Sequence, residues 1–168
     1  PGWGETGFPI VSLVGAPILI TLVPLVTCLF AIRKDWLRAG ALAFSTVGGA
    51  AIGTALKYVF HRGRPVYAGE FITRHTWSFP SGHSLNSMVA YGMLYVLLAE
   101  RIGSRARRRL ICAAAVLVIV LVGVSRVYLA GHYPSDVMAG WLSGGAWPLW
   151  CLPGDDFAPP RVARGDTV

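Results

Sequence analysis

Three short stretches set polar and charged side chains inside an otherwise apolar chain, and their residue types suit the binding and transfer of a phosphoryl group. The first runs Lys57-Tyr58-Val59-Phe60-His61-Arg62-Gly63-Arg64-Pro65. Six residues separate Lys57 from Arg64, about two turns on a helix, and Gly63 and Pro65 are placed to end that helix and let Arg64 fold back. An ammonium point charge beside a forked guanidinium matches the several oxygens of a phosphate; read alone, the pair also fits snorkelling interface cations. The second stretch is Ser78-Phe79-Pro80-Ser81-Gly82-His83-Ser84. Ser81 is placed as an N-cap with Gly82 and His83 in the first turn, so free backbone N–H groups, a positive helix end and an imidazole come together. That is an anion site with an acid attached, or, more plainly, a capped helix start. Ser81 has no base in its own stretch placed to activate it, so it reads as a cap and oxygen ligand and not as a nucleophile.

The third stretch is Ser125-Arg126-Val127-Tyr128-Leu129-Ala130-Gly131-His132-Tyr133-Pro134-Ser135-Asp136. An arginine at the mouth of an apolar helix is costly unless it is paired or lines a wet cavity, which makes Arg126 a functional candidate. Pro134 suits the first position of a helix, and Asp136 then stands one turn in, within reach of His132. A carboxylate accepting from one ring nitrogen fixes the tautomer and leaves the other nitrogen free to attack. The alternative is an interfacial His–Asp ion pair.

These stretches must be held by membrane helices. Hydrophobic residues make up 54% of the 168 and mean hydropathy is +0.56, too apolar for an ordinary soluble domain. The net charge of +7 does not indicate a nucleic-acid partner, because the basic residues sit between apolar blocks and are not interleaved with aromatics on a soluble face. Five apolar blocks approach the roughly 20 residues that cross a bilayer, at 8–31, 38–60, 83–100, 109–130 and 134–152. The predicted fold is all-α, a polytopic transmembrane helix bundle of five visible helices with a sixth expected upstream of Pro1. It forms a single domain over 1–152, followed by a flexible cytoplasmic tail over 153–168. Pro9, Pro17 and Pro24 predict a kinked first helix. Gly49 with Gly53, and Gly140 with Gly144, have the small-x-x-x-small spacing of close helix seams. Cys28, Cys112 and Cys151 stand isolated in apolar segments and read as packing.

Charge sets the orientation. Arg33, Lys34 and Arg38, then Arg101, Arg105, Arg107, Arg108 and Arg109, then Arg161 and Arg164 fall on one side, which the positive-inside rule makes cytoplasmic. Lys57, Arg62, Arg64, Arg74, Arg126 and all four histidines fall on the other. Orientation accounts for the arginine run, which also suits anionic lipid head groups. His61 and His75 occupy no motif position and read as solvated loop residues, and Arg74 and Trp77 as interface anchors or head-group contacts.

Together, Lys57 with Arg64-Pro65, Pro80-Ser81-Gly82-His83, and Ser125-Arg126 with His132 and Asp136 resemble the three-part signature of the phosphatidic acid phosphatase type 2 superfamily, which includes vanadium haloperoxidases. The resemblance spans roughly residues 38 to 152 and leaves out the first block. It implies a metal-independent phosphatase in which His132 attacks phosphorus, Asp136 orients it, and His83 protonates the departing oxygen and later serves as base for water. It also implies that Lys57, Arg64, Arg126, Ser81 and the Gly82 amide hold the non-bridging oxygens, and that lipid-acting members are six-helix bundles whose site opens near the outer bilayer surface. Phosphoryl transfer asks mainly for positioning and positive charge, which these residues supply. No cofactor is expected, and no metal site, since Asp136 is the one acidic residue inside the motifs.

A site at the mouth of a bundle admits a head group from water while the tail stays in lipid. The expected partners are therefore membrane lipids and a lipid phosphate substrate: a polyprenyl diphosphate such as undecaprenyl diphosphate, phosphatidic acid, phosphatidylglycerol phosphate or a lipid A phosphate. The expected location is the bacterial cytoplasmic membrane, with the site on its extracytoplasmic face. A vanadate-dependent haloperoxidase and a lipid phosphoryl transferase are the competing functions.

Overall fold

The computed structural model describes residues 3–15, 17–65, 76–99 and 101–151. It is a helix bundle: α1 (Trp3–Gly15), α2 (Pro17–Ile32), α3 (Trp36–Phe60), α4 (Gly82–Ala99), α5 (Arg105–Tyr128) and α6 (Pro134–Cys151). The described residues form six helical segments, the first two covering the first apolar block on either side of residue 16, which lies outside the described residues. The two halves also face different neighbours, α1 packing on α5 and α2 on α3.

The helices fall into two kinds. Gly7–Ile32 (running across α1 and α2), Trp36–Phe60 and Arg105–Tyr128 are long and apolar enough to cross a membrane. Helices α4 and α6 have 18 residues each, about 27 Å, and carry serines, a histidine, an asparagine and an aspartate. These two are the centre of the bundle. They pack on each other, and the core of Leu42, Leu85, Val89, Met93 and Leu97 closes around α4. The outside is apolar: Ile20, Ile32, Val47, Leu110 and Leu142 are 70% to 78% exposed, a surface suited to lipid and not to water.

Both glycine pairs are close seams. A Cβ on Gly140 would stand 2.7 Å from the Ser81 carbonyl oxygen, and one on Gly144 2.7 Å from that of Leu85, so α6 rests on the backbone of α4. A Cβ on Gly49 or Gly53 would meet Val89 at 3.0 Å or Leu85 at 3.2 Å, which brings α3 against α4. At the opposite end from the motifs, Asp35 caps α3 and joins two basic turns, accepting from Arg38 Nη1 at 2.7 Å and Arg101 Nη2 at 2.8 Å. The Arg38 bond holds its carboxyl below the usual range. Cys28 faces outward and Cys112 is half-buried, both as free thiols. Glu70, Arg74, His75, the side chain of Cys151 and the tail lie outside the described residues.

Candidate active site

The C-terminal ends of α3 and α5 meet the N-terminal ends of α4 and α6 at one end of the bundle, and all eight motif residues lie there. Helix α3 stops at Phe60. The stop is His61, in the left-handed conformation with φ 45° and its N–H on the Lys57 carbonyl at 3.1 Å, and not Gly63 or Pro65 as their types suggest. The reversal lets Arg64 fold back across the site as expected. Arg64 Nη1 donates to the Gly131 carbonyl at 2.7 Å and lies 3.4 Å from His132 Nε2, while Nε and Nη2 bond Thr76. Lys57 Nζ donates to the carbonyls of Trp77 at 2.9 Å and Pro80 at 3.1 Å, two of the three bonds an ammonium can make.

Ser81 stands before α4 as predicted. Its Oγ takes a bond from Ser84 Oγ at 3.1 Å, with the Ser84 N–H at 3.5 Å, and its own N–H donates to the Asp136 carbonyl at 2.9 Å. A Cβ on Gly82 would meet nothing within 4 Å, so backbone there borders open space that a ligand can enter. His83 follows in the first turn, half-buried, with its ring against Gly15 of α1.

Pro134 opens α6, and Asp136, at the third helical position, reaches back to accept the Tyr133 N–H at 3.0 Å, the carboxylate half of a capping box. Arg126 is buried and donates to Ser12 of α1. It also explains Gly131, where a Cβ would stand 2.8 Å from Arg126 Nη2. His132 is 4% exposed. Burial, followed by the fields of Arg64, Arg126 and Lys57, brings it down from 6.5 to about 3, so the ring is neutral at physiological pH. Arg64 only donates, so a neutral ring that accepts from it at Nε2 carries its proton on Nδ1; a backbone hydrogen bond with Ser78 works against the lowering. Nδ1 faces Asp136 Oδ2 at 3.5 Å, too long for a hydrogen bond, and makes none among the described residues.

Three contributors were not legible as site residues. Arg62, grouped with the outer-face cations, donates to Asp136 Oδ1 at 2.8 Å; its only sequence signal was its place between Lys57 and Arg64. Ser12 and Thr76 gave no signal, since an apolar block and a loop both contain such residues by chance. Trp77 packs edge-on against His61 with ring centroids 4.7 Å apart. Among the described residues no group of three His, Cys, Asp or Glu is placed to hold a metal ion.

Residues 38–156, which carry all three motifs, match the PAP2 superfamily. The chain belongs to that superfamily. It is 30% identical over 147 residues to phosphatidylglycerophosphatase B of Bacillus subtilis, covering 86% of this chain and 71% of that protein. It is 35% identical over 127 residues to an undecaprenyl-diphosphatase of Sulfolobus acidocaldarius, covering 71% of this chain and 56% of the relative. Among solved structures, the transmembrane PAP2-type phosphatidylglycerolphosphate phosphatase from Bacillus subtilis superposes with a TM-score of 0.80 at 25% identity, over 90% of this chain and 76% of that one. Family and relatives place this PAP2 member among the membrane lipid phosphatases, as an integral membrane enzyme.

Proposed function

We propose that this enzyme hydrolyses the phosphate monoester or diphosphate of a membrane lipid through a phosphohistidine formed on His132. The observation that carries the reading is the setting of that ring: buried, with Nε2 3.4 Å from Arg64 Nη1 and Nδ1 3.5 Å from Asp136 Oδ2. Lys57, Arg64, Arg126, Ser81 and the Gly82 amide hold the non-bridging oxygens. Nε2 attacks phosphorus, the bond from phosphorus to the lipid oxygen breaks, and His83 gives that oxygen a proton. Water then attacks phosphorus while His83 takes a proton from it, the phosphorus–nitrogen bond breaks, and inorganic phosphate leaves a neutral His132. The cations that oppose a proton on the resting ring are the ones that meet the phosphate. A bound dianion offsets their field, while burial, the larger effect, continues to oppose a proton on the ring.

The relatives' names bring phosphatidylglycerol phosphate and a polyprenyl diphosphate to this chain as candidate substrates, and phosphatidic acid belongs to the same chemical class. The reading places the enzyme in the bacterial cytoplasmic membrane with the site outside, supported by the exposed Arg33, Lys34, Arg101, Arg105 and Arg107 at the other end of the bundle. Purified enzyme in detergent, offered these three lipids in turn, is expected to release inorganic phosphate from at least one and to lose that release in His132→Ala. No release from any of them, or full release by the variant, contradicts the proposal.

A further inference from the structure

Asp136 is completely buried, and a carboxylate in that position must be compensated. Its Oδ2 takes the Tyr133 N–H, and its Oδ1 takes Arg62 Nη1 at 2.8 Å. The same Nη1 donates to Ser135 Oγ at 2.7 Å, and the guanidinium lies 4.2 Å over the Tyr133 ring. Arg62 is itself pinned, since its carbonyl accepts from the Ser78 N–H at 2.8 Å and from Ser78 Oγ at 3.2 Å. One residue thus ties the end of α3, the stretch before α4 and the start of α6 together, and its charged end is aimed at the carboxylate that faces the proposed nucleophile.

We infer that Arg62 is a positioning residue for His132, acting through Asp136. The inference rests on the phosphohistidine reading. With one oxygen held by Arg62 and the other by a backbone N–H, the carboxylate can neither rotate nor leave. Oδ2 is left 3.5 Å from Nδ1, close enough to become a hydrogen-bond acceptor when the ring gains positive charge on bonding phosphorus. Such an interaction strengthens as the reaction proceeds, so its loss lowers kcat and leaves KM nearly unchanged. A direct phosphate ligand would behave otherwise, because its loss weakens ground-state binding as well.

A double-mutant cycle tests this with Arg62→Gln, Asp136→Asn and the pair, in detergent on a lipid the wild type turns over, with Arg62→Lys and His132→Ala alongside. Arg62→Gln is expected to lower kcat about 10- to 100-fold with KM within about twofold. Arg62→Lys should recover much of the loss, because an ammonium still pairs with Oδ1, and the double variant should match Asp136→Asn alone. Independent, multiplying losses would overturn the inference, as would a raised KM at unchanged kcat, which would make Arg62 a substrate ligand, or wild-type kinetics in Arg62→Gln. If Arg62→Gln does not fold, Arg62→Lys replaces it in the cycle, with a further loss on top of Asp136→Asn as the contrary result. An active His132→Ala defeats the phosphohistidine reading itself; an inactive one beside an independent Arg62 defeats only the inference.

Discussion

His132 is poised as a base that stays empty. The unfolded chain protonates a histidine near pH 6.5 and the folded one near 3. Between those values the unfolded state holds more protons, so this residue's contribution to stability is complete above about 6.5 and is lost as pH falls toward 3. The same displacement protects the proposed nucleophile. Once the substrate's own second ionisation, near about 6, has been measured and divided out, kcat/KM should show no acid loss centred near pH 6.5; a fall there would mean that the free enzyme's nucleophile titrates as an ordinary histidine. At this scale much was legible in the sequence. Lys57, Arg64, Arg126, His132 and Asp136 announce themselves by type, since charges in an apolar chain need a reason. Their partners do not, because Ser12 and Arg62 become site residues only through contacts 114 and 74 positions away in sequence.

At the scale of elements, the site depends on how closely α4 and α6 approach, since Ser81 just before α4, Gly82 and His83 in its first turn and Asp136 in that of α6 lie where they meet. Gly140 sets that distance. A methyl group there would stand 2.7 Å from the Ser81 carbonyl oxygen and 2.9 Å from Ser84 Cβ, and backbone on one side leaves little to give way. Gly140→Ala is expected to destabilise by about 1–3 kcal/mol and to reduce activity by moving Ser81. Gly40→Ala meets nothing within 4 Å and should be neutral or gain up to about 1 kcal/mol. Thermal unfolding in detergent compares the two, and a Gly140→Ala melting at or above Gly40→Ala would contradict the seam. The seam was legible from glycine spacing.

For the whole molecule, composition and charge already implied a bundle with one basic end and one chemical end, and Asp35 binding both Arg38 and Arg101 shows two of the basic turns meeting at the same end. In a variant lacking native cysteines, a cysteine near Glu70 should react with an impermeant thiol reagent in intact cells, and one at Gly103 only after lysis; the reverse pattern would invert the orientation. The central claim, that this PAP2 member stores the phosphoryl group on His132, is tested most directly by rapid acid-free quenching during turnover of a radiolabelled lipid phosphate, followed by peptide mapping. The account predicts an alkali-stable, acid-labile phosphate on His132 that forms and decays fast enough to support turnover. Label on another residue such as Ser81, or turnover with no phosphoenzyme at all, would contradict it.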